Sequence, residues 1–184
     1  MKIACLGWGS LIWRPENLLL RSGWFMDGPL LPIEYARQSK DGRLTLVITE
    51  KAKPVRTLWA TMATSELATA KTSLRIREAI PERRLETLIG SVTASEPTSD
   101  NFKLTIQHWA TNLNLDAVIW TNLPPKFKST ENHVPTIEEA ISYLNLLDSD
   151  ARKAAEEYVR KTPLQIDTDY RRIFETEFGW TFVK

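Results

Sequence analysis

A glycine-rich stretch near the N-terminus has the composition of an anion-binding turn. Residues 2–13 read Lys-Ile-Ala-Cys-Leu-Gly-Trp-Gly-Ser-Leu-Ile-Trp, so the apolar run Ile3–Leu6 leads directly into two glycines and a serine. A buried strand that ends in such a turn leaves backbone N–H groups open to a ligand, because glycine has no side chain to cover them. We therefore predict that an anionic group, most simply a carboxylate, binds the backbone donors of Gly7, Trp8, Gly9, Ser10 and Leu11.

Two better-known glycine motifs do not fit this stretch. The third glycine of a dinucleotide-binding fingerprint would fall at Ile12, and a nucleophile elbow would need glycines at both Trp8 and Ile12. A tight turn that follows a strand and binds nothing stays open as the alternative.

The second candidate is a carboxylate on the apolar stripe of a predicted helix. This helix is expected to begin at Thr64 and to end before Pro81, and its stripe passes through Ala70 and Leu74 to Glu78. Burial and the negative end of the helix dipole both raise the pKa of a carboxyl group. Such a group suits a general base that later returns its proton, so Glu78 is the predicted catalytic residue.

Simpler explanations remain for the reactive side chains. The alternative for Glu78 is a rim carboxylate that pairs with Arg75 or Arg77. Cys5 lies inside the first predicted strand with no histidine close in sequence, which favours a buried, inert thiol over a nucleophile.

Length and composition limit the possible classes of protein. The 184 residues predict a single domain, and 24 basic against 23 acidic residues give no reason to expect nucleic acid or an anionic membrane as a partner. One cysteine excludes an internal disulfide and, with no signal peptide or membrane span predicted, favours a cytoplasmic location. Two histidines and one cysteine form no zinc-binding pattern, so no metal or cofactor is expected.

Strands are predicted early in the chain and helices late, which is typical of an α+β fold with an antiparallel or mixed sheet. The predicted strands are Ile3–Leu6, Ile33–Ser39, Arg43–Thr49, Arg56–Met62, Phe102–Ala110 and Ala117–Trp120. The predicted helices are Pro15–Leu20, Thr64 to about Ala79, Glu82–Leu88 closed by Gly90, Thr136 to about Leu147, Ser149–Lys161, and Asp167 or Thr168 to Phe178. Residues 136–184 would form a helical C-terminal extension of the domain.

Two of these stretches together resemble a known family. The sequence Gly-Trp-Gly-Ser-Leu that follows the first strand is similar to the Tyr-Gly-Ser-Leu signature of the γ-glutamylcyclotransferase family, including its ChaC-type and AIG2-like branch. The helix that ends Leu74-Arg75-Ile76-Arg77-Glu78 resembles the family helix that bears the catalytic glutamate. The hairpin and strand between the two motifs come in the same order as in the family.

The resemblance implies a fold and an activity. The fold would be a small mixed, partly barrel-like sheet flanked by helices. The glycine turn would hold a γ-glutamyl moiety, and Glu78 would take a proton from its α-ammonium, so that the freed amine attacks the γ-carbonyl. The products would be 5-oxoproline and an amine or amino acid, released by a cyclising, amide-cleaving lyase or acyltransferase that acts on glutathione or a related small γ-glutamyl compound without a cofactor.

Two positions depart from the family pattern. Trp8 replaces the family tyrosine, which removes a hydroxyl, and Ala79 replaces the glycine that usually follows the catalytic glutamate. A second hypothesis is therefore an inactive module of the same fold that binds a γ-glutamyl compound or carboxylate, and a third is an acyltransferase that depends on Cys5. The sequence does not indicate an oligomeric state.

Overall fold

The computed structural model describes residues 1–183, in which the chain forms two compact units. The first unit comprises Met1–Gly7, Arg14–Leu31 and Arg56–Leu123, and the second comprises Trp8–Trp13, Pro32–Val55 and the chain from Pro124 onward. The single domain predicted for residues 1–184 stays a prediction.

The chain forms nine strands and six α-helices in the described residues. The strands are β1 (Ile3–Gly7), β2 (Leu30–Gln38), β3 (Leu44–Ile48), β4 (Pro54–Arg56), β5 (Leu58–Thr61), β6 (Ile89–Thr93), β7 (Ala117–Thr121), β8 (Lys126–Phe127) and β9 (Thr130–Glu131). The helices are α1 (Leu67–Arg77), α2 (Leu85–Leu88), α3 (Asn101–Asn112), α4 (Ile137–Asn145), α5 (Ser149–Lys161) and α6 (Asp169–Phe178), and a short 3₁₀ helix spans Glu82–Arg84.

The sheet of the first unit has the strand order β5-β1-β7-β6, with β1 inside it as predicted. β1 pairs antiparallel with β5, where Cys5 lies opposite Ala60, and parallel with β7, where Cys5 lies opposite Ile119. All five residues of β1 are buried. A continuous apolar run is what a strand covered on both faces requires, which explains why this strand could be predicted.

The sheet of the second unit has the order β3-β2-β8-β9, and β4 also pairs with β2. The predicted hairpin around Gly42 is present as β2 and β3, and the capping box of Thr136 and Glu139 begins α4. The α+β class is therefore confirmed. The strands form two mixed sheets instead of one partly barrel-like sheet, and neither closes into a barrel within the described residues. Over residues 1–183, no helix combines the length and the apolar character needed to cross a membrane.

The strand predicted at Phe102–Ala110 is wrong, because these residues belong to α3. The carboxylate of Asp100 accepts the N–H groups of Phe102 (3.0 Å) and Lys103 (3.3 Å), which caps the helix. Ile106 and Ala110 are buried at a helical spacing of four residues. The alternation of polar and apolar residues was a weaker signal than this cap.

Three smaller predictions are corrected. Pro15–Leu20 forms a turn instead of a helix, and Glu16 within it has a left-handed φ of 52°. Gly90 lies in β6 and does not close a helix; a side chain there would overlap the ring of Trp120. Helix α1 begins at Leu67, and its N-cap is Glu66 instead of Thr64.

The C-terminal end of α1 forms a Schellman motif without glycine. Glu78 is the C-cap, Ala79 donates its N–H to the carbonyl of Ile76 (3.0 Å), and Ile80 donates to Arg75 (3.0 Å). Ala79 adopts a left-handed φ of 51°, a conformation that favours glycine. The predicted helix end is thus confirmed near Ala79, and alanine stands where glycine would be unstrained.

We expect Ala79→Gly to stabilise the protein by about 0.5–1 kcal/mol, because relief of the left-handed strain outweighs the added freedom of the unfolded chain. The matched control is Ala68→Gly, since Ala68 is exposed on the same helix with ordinary helical geometry. That substitution should destabilise by a similar amount. Urea unfolding of the three proteins measures both effects. A loss of stability with Ala79→Gly would contradict the strain argument.

Candidate functional site

The structure distributes the six predicted site residues over both units. Gly7 and Glu78 lie in the first unit, and Trp8–Leu11 lie in the second. Gly7 is the last residue of β1, opposite Leu58 on β5.

Glu78 is a largely buried carboxylate held by one arginine. Its side chain is 15% exposed, and its Oε1 accepts a hydrogen bond of 2.7 Å from Nη1 of Arg77, whose side chain is 9% exposed. Arg77 is itself fixed, because its Nε (3.1 Å) and Nη2 (2.6 Å) donate to the carbonyl oxygen of Arg14. Glu78 is therefore buried, as the general-base hypothesis expects. It is also paired with a neighbouring arginine, as the alternative hypothesis of a structural ion pair expects.

Arg75, the other arginine beside Glu78 in sequence, points elsewhere. Its Nη1 donates to the carbonyl of Ile80 (2.9 Å), which strengthens the turn after α1. Its Nε is buried and has no hydrogen-bond partner among the described residues. Of the two arginines that the sequence offered, Arg77 is the partner of Glu78.

Burial raises the pKa of Glu78 above its ordinary value, because the charged carboxylate is poorly solvated there. The Arg77 guanidinium beside it acts in the opposite direction, through its charge and its hydrogen bond. Repulsion from Glu16 adds to the increase. The net effect is a carboxyl group that binds a proton more readily than a solvated glutamate, which is the property expected of a general acid/base.

Cys5 lies close enough to Glu78 for the two groups to interact electrostatically. The Cys5 thiol is fully buried on β1, and burial raises its pKa strongly, with the Glu78 charge adding to the effect and Arg77 opposing it. Its Sγ donates to the carbonyl of Leu6 at 3.6 Å. A thiol that resists ionisation to this degree is a poor nucleophile, so these observations disfavour the acyltransferase hypothesis.

In the second unit, the glycine turn is partly buried and retains unused donors. Trp8 and Leu11 are buried, Ser10 is half-buried, and the turn is closed by a hydrogen bond of 3.0 Å from the Ile12 N–H to the Gly9 carbonyl. Among residues 1–183, the N–H groups of Trp8, Gly9 and Leu11 donate no backbone hydrogen bond. Three backbone donors of the turn therefore have no backbone acceptor among the described residues, and the binding of an anion there stays a prediction.

Trp8 has a structural role that the sequence did not reveal. Its indole Nε1 donates to the carbonyl of Leu46 on β3 at 3.2 Å, in the same unit. This hydrogen bond satisfies the only polar atom of the side chain, which is 5% exposed.

Tyr158 on α5 explains why residue 9 is glycine. A Cβ at Gly9 would overlap the hydroxyl of Tyr158 and lie 3.2 Å from its Cζ. Left-handed φ is not the reason, since the glycines with positive φ in the described residues are Gly42 and Gly179. Helix α5 therefore places a tyrosine hydroxyl beside the glycine turn.

The Tyr158 ring is held on several sides. It makes edge contacts with Trp13 (5.5 Å between centroids) and Tyr35 (6.1 Å), and its hydroxyl accepts the Leu46 N–H at 3.3 Å. The guanidinium of Arg43 lies 5.4 Å from the ring centroid. In the sequence, the apolar stripe of α5 indicates that Tyr158 is buried, but it does not indicate that Tyr158 contacts Gly9.

Comparison of the chain with protein-family models, curated proteins and solved structures found no match. The resemblance to the γ-glutamylcyclotransferase family is therefore limited to the two short sequence motifs.

We expect Gly9→Ala to destabilise the protein by about 1–3 kcal/mol, because the new methyl group overlaps Tyr158. The control Gly23→Ala should change stability by less than about 0.5 kcal/mol, since Gly23 has no neighbour within 4 Å of the added carbon.

Tyr158→Phe removes the clashing hydroxyl, so the double variant Gly9→Ala/Tyr158→Phe should lose less stability than the sum of the single variants, by about 1 kcal/mol. Urea unfolding of the cycle measures this coupling. Strict additivity would show that the contact does not explain Gly9.

A separate prediction concerns the pH dependence of stability. Because the folded-state pKa of Glu78 is raised, folding disfavours its charged form, and wild-type stability should fall as pH rises through the ordinary value of 4.5 and on to the folded-state pKa. Glu78→Gln carries no such charge. The wild-type protein and Glu78→Gln should have equal stability at about pH 4, and Glu78→Gln should be the more stable protein at about pH 7.

Urea unfolding at both pH values measures the difference, with Glu82→Gln as an exposed control that should show no such trend. Lower stability of Glu78→Gln at neutral pH would mean that the ion pair with Arg77 outweighs the cost of burial.

Proposed function

We propose that this protein is a γ-glutamylcyclotransferase-type enzyme in which Glu78 is the general acid/base. The observation that supports the proposal is the buried carboxylate of Glu78, with its raised pKa and its ion pair with Arg77. This carboxylate occupies the position in the helix motif where the family has its catalytic glutamate. The specific fold of the family and a location in the cytoplasm are parts of the same proposal.

The proposed reaction needs one proton carrier and no redox change. The Glu78 carboxylate accepts a proton from the substrate α-ammonium, and the neutral nitrogen attacks the γ-carbonyl carbon to form the ring C–N bond. Collapse of the tetrahedral intermediate breaks the original amide bond, and Glu78 returns its proton to the leaving nitrogen. The second proton, which the ring nitrogen loses as it becomes the lactam N–H, is taken up by the released amine, which leaves as an ammonium ion. The products are 5-oxoproline and an amine or amino acid. Because both reacting groups belong to one molecule, the effective concentration can reach about 10⁵–10⁸ M.

The raised pKa of Glu78 suits both halves of this cycle. A solvated glutamate would be too weak a base to deprotonate an ammonium group efficiently and would hold the proton too briefly to return it. Burial strengthens the base, and the fixed guanidinium of Arg77 limits that effect, so that the group can still be charged when substrate arrives.

The resemblance assigns the α-carboxylate of the substrate to the backbone donors of Gly7–Leu11. The N–H groups of Trp8, Gly9 and Leu11 support this assignment, because they donate no backbone hydrogen bond within the described chain. The substrate class is a small γ-glutamyl compound: glutathione, a γ-glutamyl amino acid or a γ-glutamyl amine.

The second candidate is a binding module of the same fold that has lost turnover. The hydrogen bond between Arg77 and Glu78 favours it, because a carboxylate neutralised by a fixed cation has less tendency to accept a proton. The absence of the family tyrosine at position 8 points the same way. Binding of γ-glutamyl compounds without release of 5-oxoproline would identify this function.

The test is an assay of 5-oxoproline release by the wild-type protein with glutathione, γ-glutamyl amino acids and γ-glutamyl amines. Glu78→Gln should lower the rate by about 10²–10⁴, because Gln keeps the shape but cannot accept the proton. Ligand binding, measured by calorimetry, should be largely retained. The matched control is Glu82→Gln, an exposed carboxylate a few residues further along, which should keep wild-type activity.

Release by Glu78→Gln at close to the wild-type rate, with an intact fold, would exclude Glu78 as the catalytic residue. If the wild-type protein binds these compounds and releases no 5-oxoproline from any of them, the enzyme proposal is wrong and the binding module is correct.

A further inference from the structure

A pocket of about 290 Å³ lies in the first unit, at the N-terminal end of β1. Its apolar lining includes Ile3, Met62 and Leu115, which are 2%, 4% and 5% exposed. The volume is at the lower end of the range for small-molecule sites. A mainly apolar floor of this kind favours a ligand with a short hydrocarbon portion.

The polar groups around the pocket are cationic or neutral. Lys2 and Arg21 line it, and no acidic residue does. Within the described residues, the charged groups of these two side chains form no hydrogen bond or ion pair with another residue. The Asp116 carboxylate accepts the backbone N–H of Lys2 at 2.6 Å, which leaves the Lys2 ammonium group unused by this contact. The positive charges of Lys2 and Arg21 beside an apolar surface are complementary to an anion that also has a hydrocarbon portion.

Three hydroxyl groups add donors to the rim, from Thr61, Thr64 and Ser65. The Thr64 oxygen already accepts the N–H of Glu66 at 3.2 Å, so its proton is free to donate to a ligand. These neutral donors suit a carboxylate, which accepts several hydrogen bonds and donates none.

The walls of the pocket are fixed by backbone hydrogen bonds. The Met62 N–H donates to the carbonyl of Ile3 (2.8 Å), and the Arg21 N–H donates to the carbonyl of Thr61 (2.8 Å). Leu20 forms an isolated bridge with Met62, which joins the segment carrying Arg21 to the end of β5. The pocket is therefore preformed, and a ligand would not have to order a loop in order to bind.

We propose that this pocket binds an amphipathic monoanion, a carboxylate with a short unbranched aliphatic chain. The chain lies against Ile3, Met62 and Leu115, and the carboxylate contacts Arg21 and Lys2. This site is separate from Glu78 and independent of the proposed function. Ile3 and Gly7 mark opposite ends of β1, which are about 13 Å apart for a strand of this length.

The probe is octanoate, with 1-octanol and octylamine as ligands of the same chain length that lack the negative charge. Protein labelled with ¹³C at its methionine methyl groups reports binding directly, because Met1 and Met62 line the pocket and Met26 does not. Octanoate should shift the Met62 signal in a saturable manner and leave Met26 unchanged. The neutral and cationic ligands should bind at least about fivefold more weakly, which corresponds to the loss of about 1 kcal/mol from an exposed ion pair.

The matched variants are Arg21→Glu and Arg83→Glu, which change the net charge equally. Arg83 is exposed in the same unit and does not line the pocket. Arg21→Glu should weaken octanoate binding by about fivefold or more, while Arg83→Glu should leave it within about twofold. If Arg21→Glu does not fold, Arg21→Gln should give a smaller weakening in the same direction.

Three results would overturn the proposal: no saturable shift of Met62, equal affinity for 1-octanol, or equal weakening by the two charge reversals. None of them depends on 5-oxoproline release, so failure of the pocket proposal is distinguishable from failure of the proposed enzyme.

Discussion

The ion pair between Arg77 and Glu78 is the constraint on which the candidate site depends. A buried carboxylate is tolerated when a fixed, hydrogen-bonded cation accompanies it, and Arg77 is fixed by the carbonyl oxygen of Arg14. The same helix end holds Ala79 in a left-handed conformation. The cost of burying the Glu78 charge and the backbone strain at Ala79 thus occur at adjacent residues. Structures retain such unfavourable features most often where function requires them, and at this helix end a buried carboxylate directly precedes a strained residue.

The strand β1 contributes a residue to two of the sites that we interpret functionally, Gly7 to the glycine turn and Ile3 to the apolar pocket. Its buried residues hold it between β5 and β7, so its two ends are fixed with respect to each other. Gly7 at one end leads into the glycine turn, and Ile3 at the other contributes to the apolar pocket. Cys5 between them lies beside Glu78 but is itself too strongly buried to ionise readily. A strand that is rigid because it is covered on both sides can support ligand sites at either end.

The elements that the sequence predicted well are those whose signals are local. β1 and β7 are continuous apolar runs, α4 begins with a capping box, and α5 has the predicted bounds Ser149–Lys161. Glu78 was found because it continues an apolar stripe. The same reasoning failed for α3, since an apparent alternation of residues masked the cap formed by Asp100. Contacts between distant segments could not be predicted from the sequence. The packing of Tyr158 against Gly9 and of Trp120 against Gly90 is seen only in the folded chain.

The central claim is that folding makes Glu78 a stronger base than an ordinary glutamate. The most direct measurement is an NMR titration of protein labelled with ¹³C at the glutamate carboxyl carbons, in which the signal missing from Glu78→Gln identifies Glu78. The account predicts a titration midpoint above the ordinary value of 4.5, because burial outweighs the attraction of Arg77. A midpoint at or below 4.5 in the folded protein would contradict it and would show that the ion pair with Arg77 dominates.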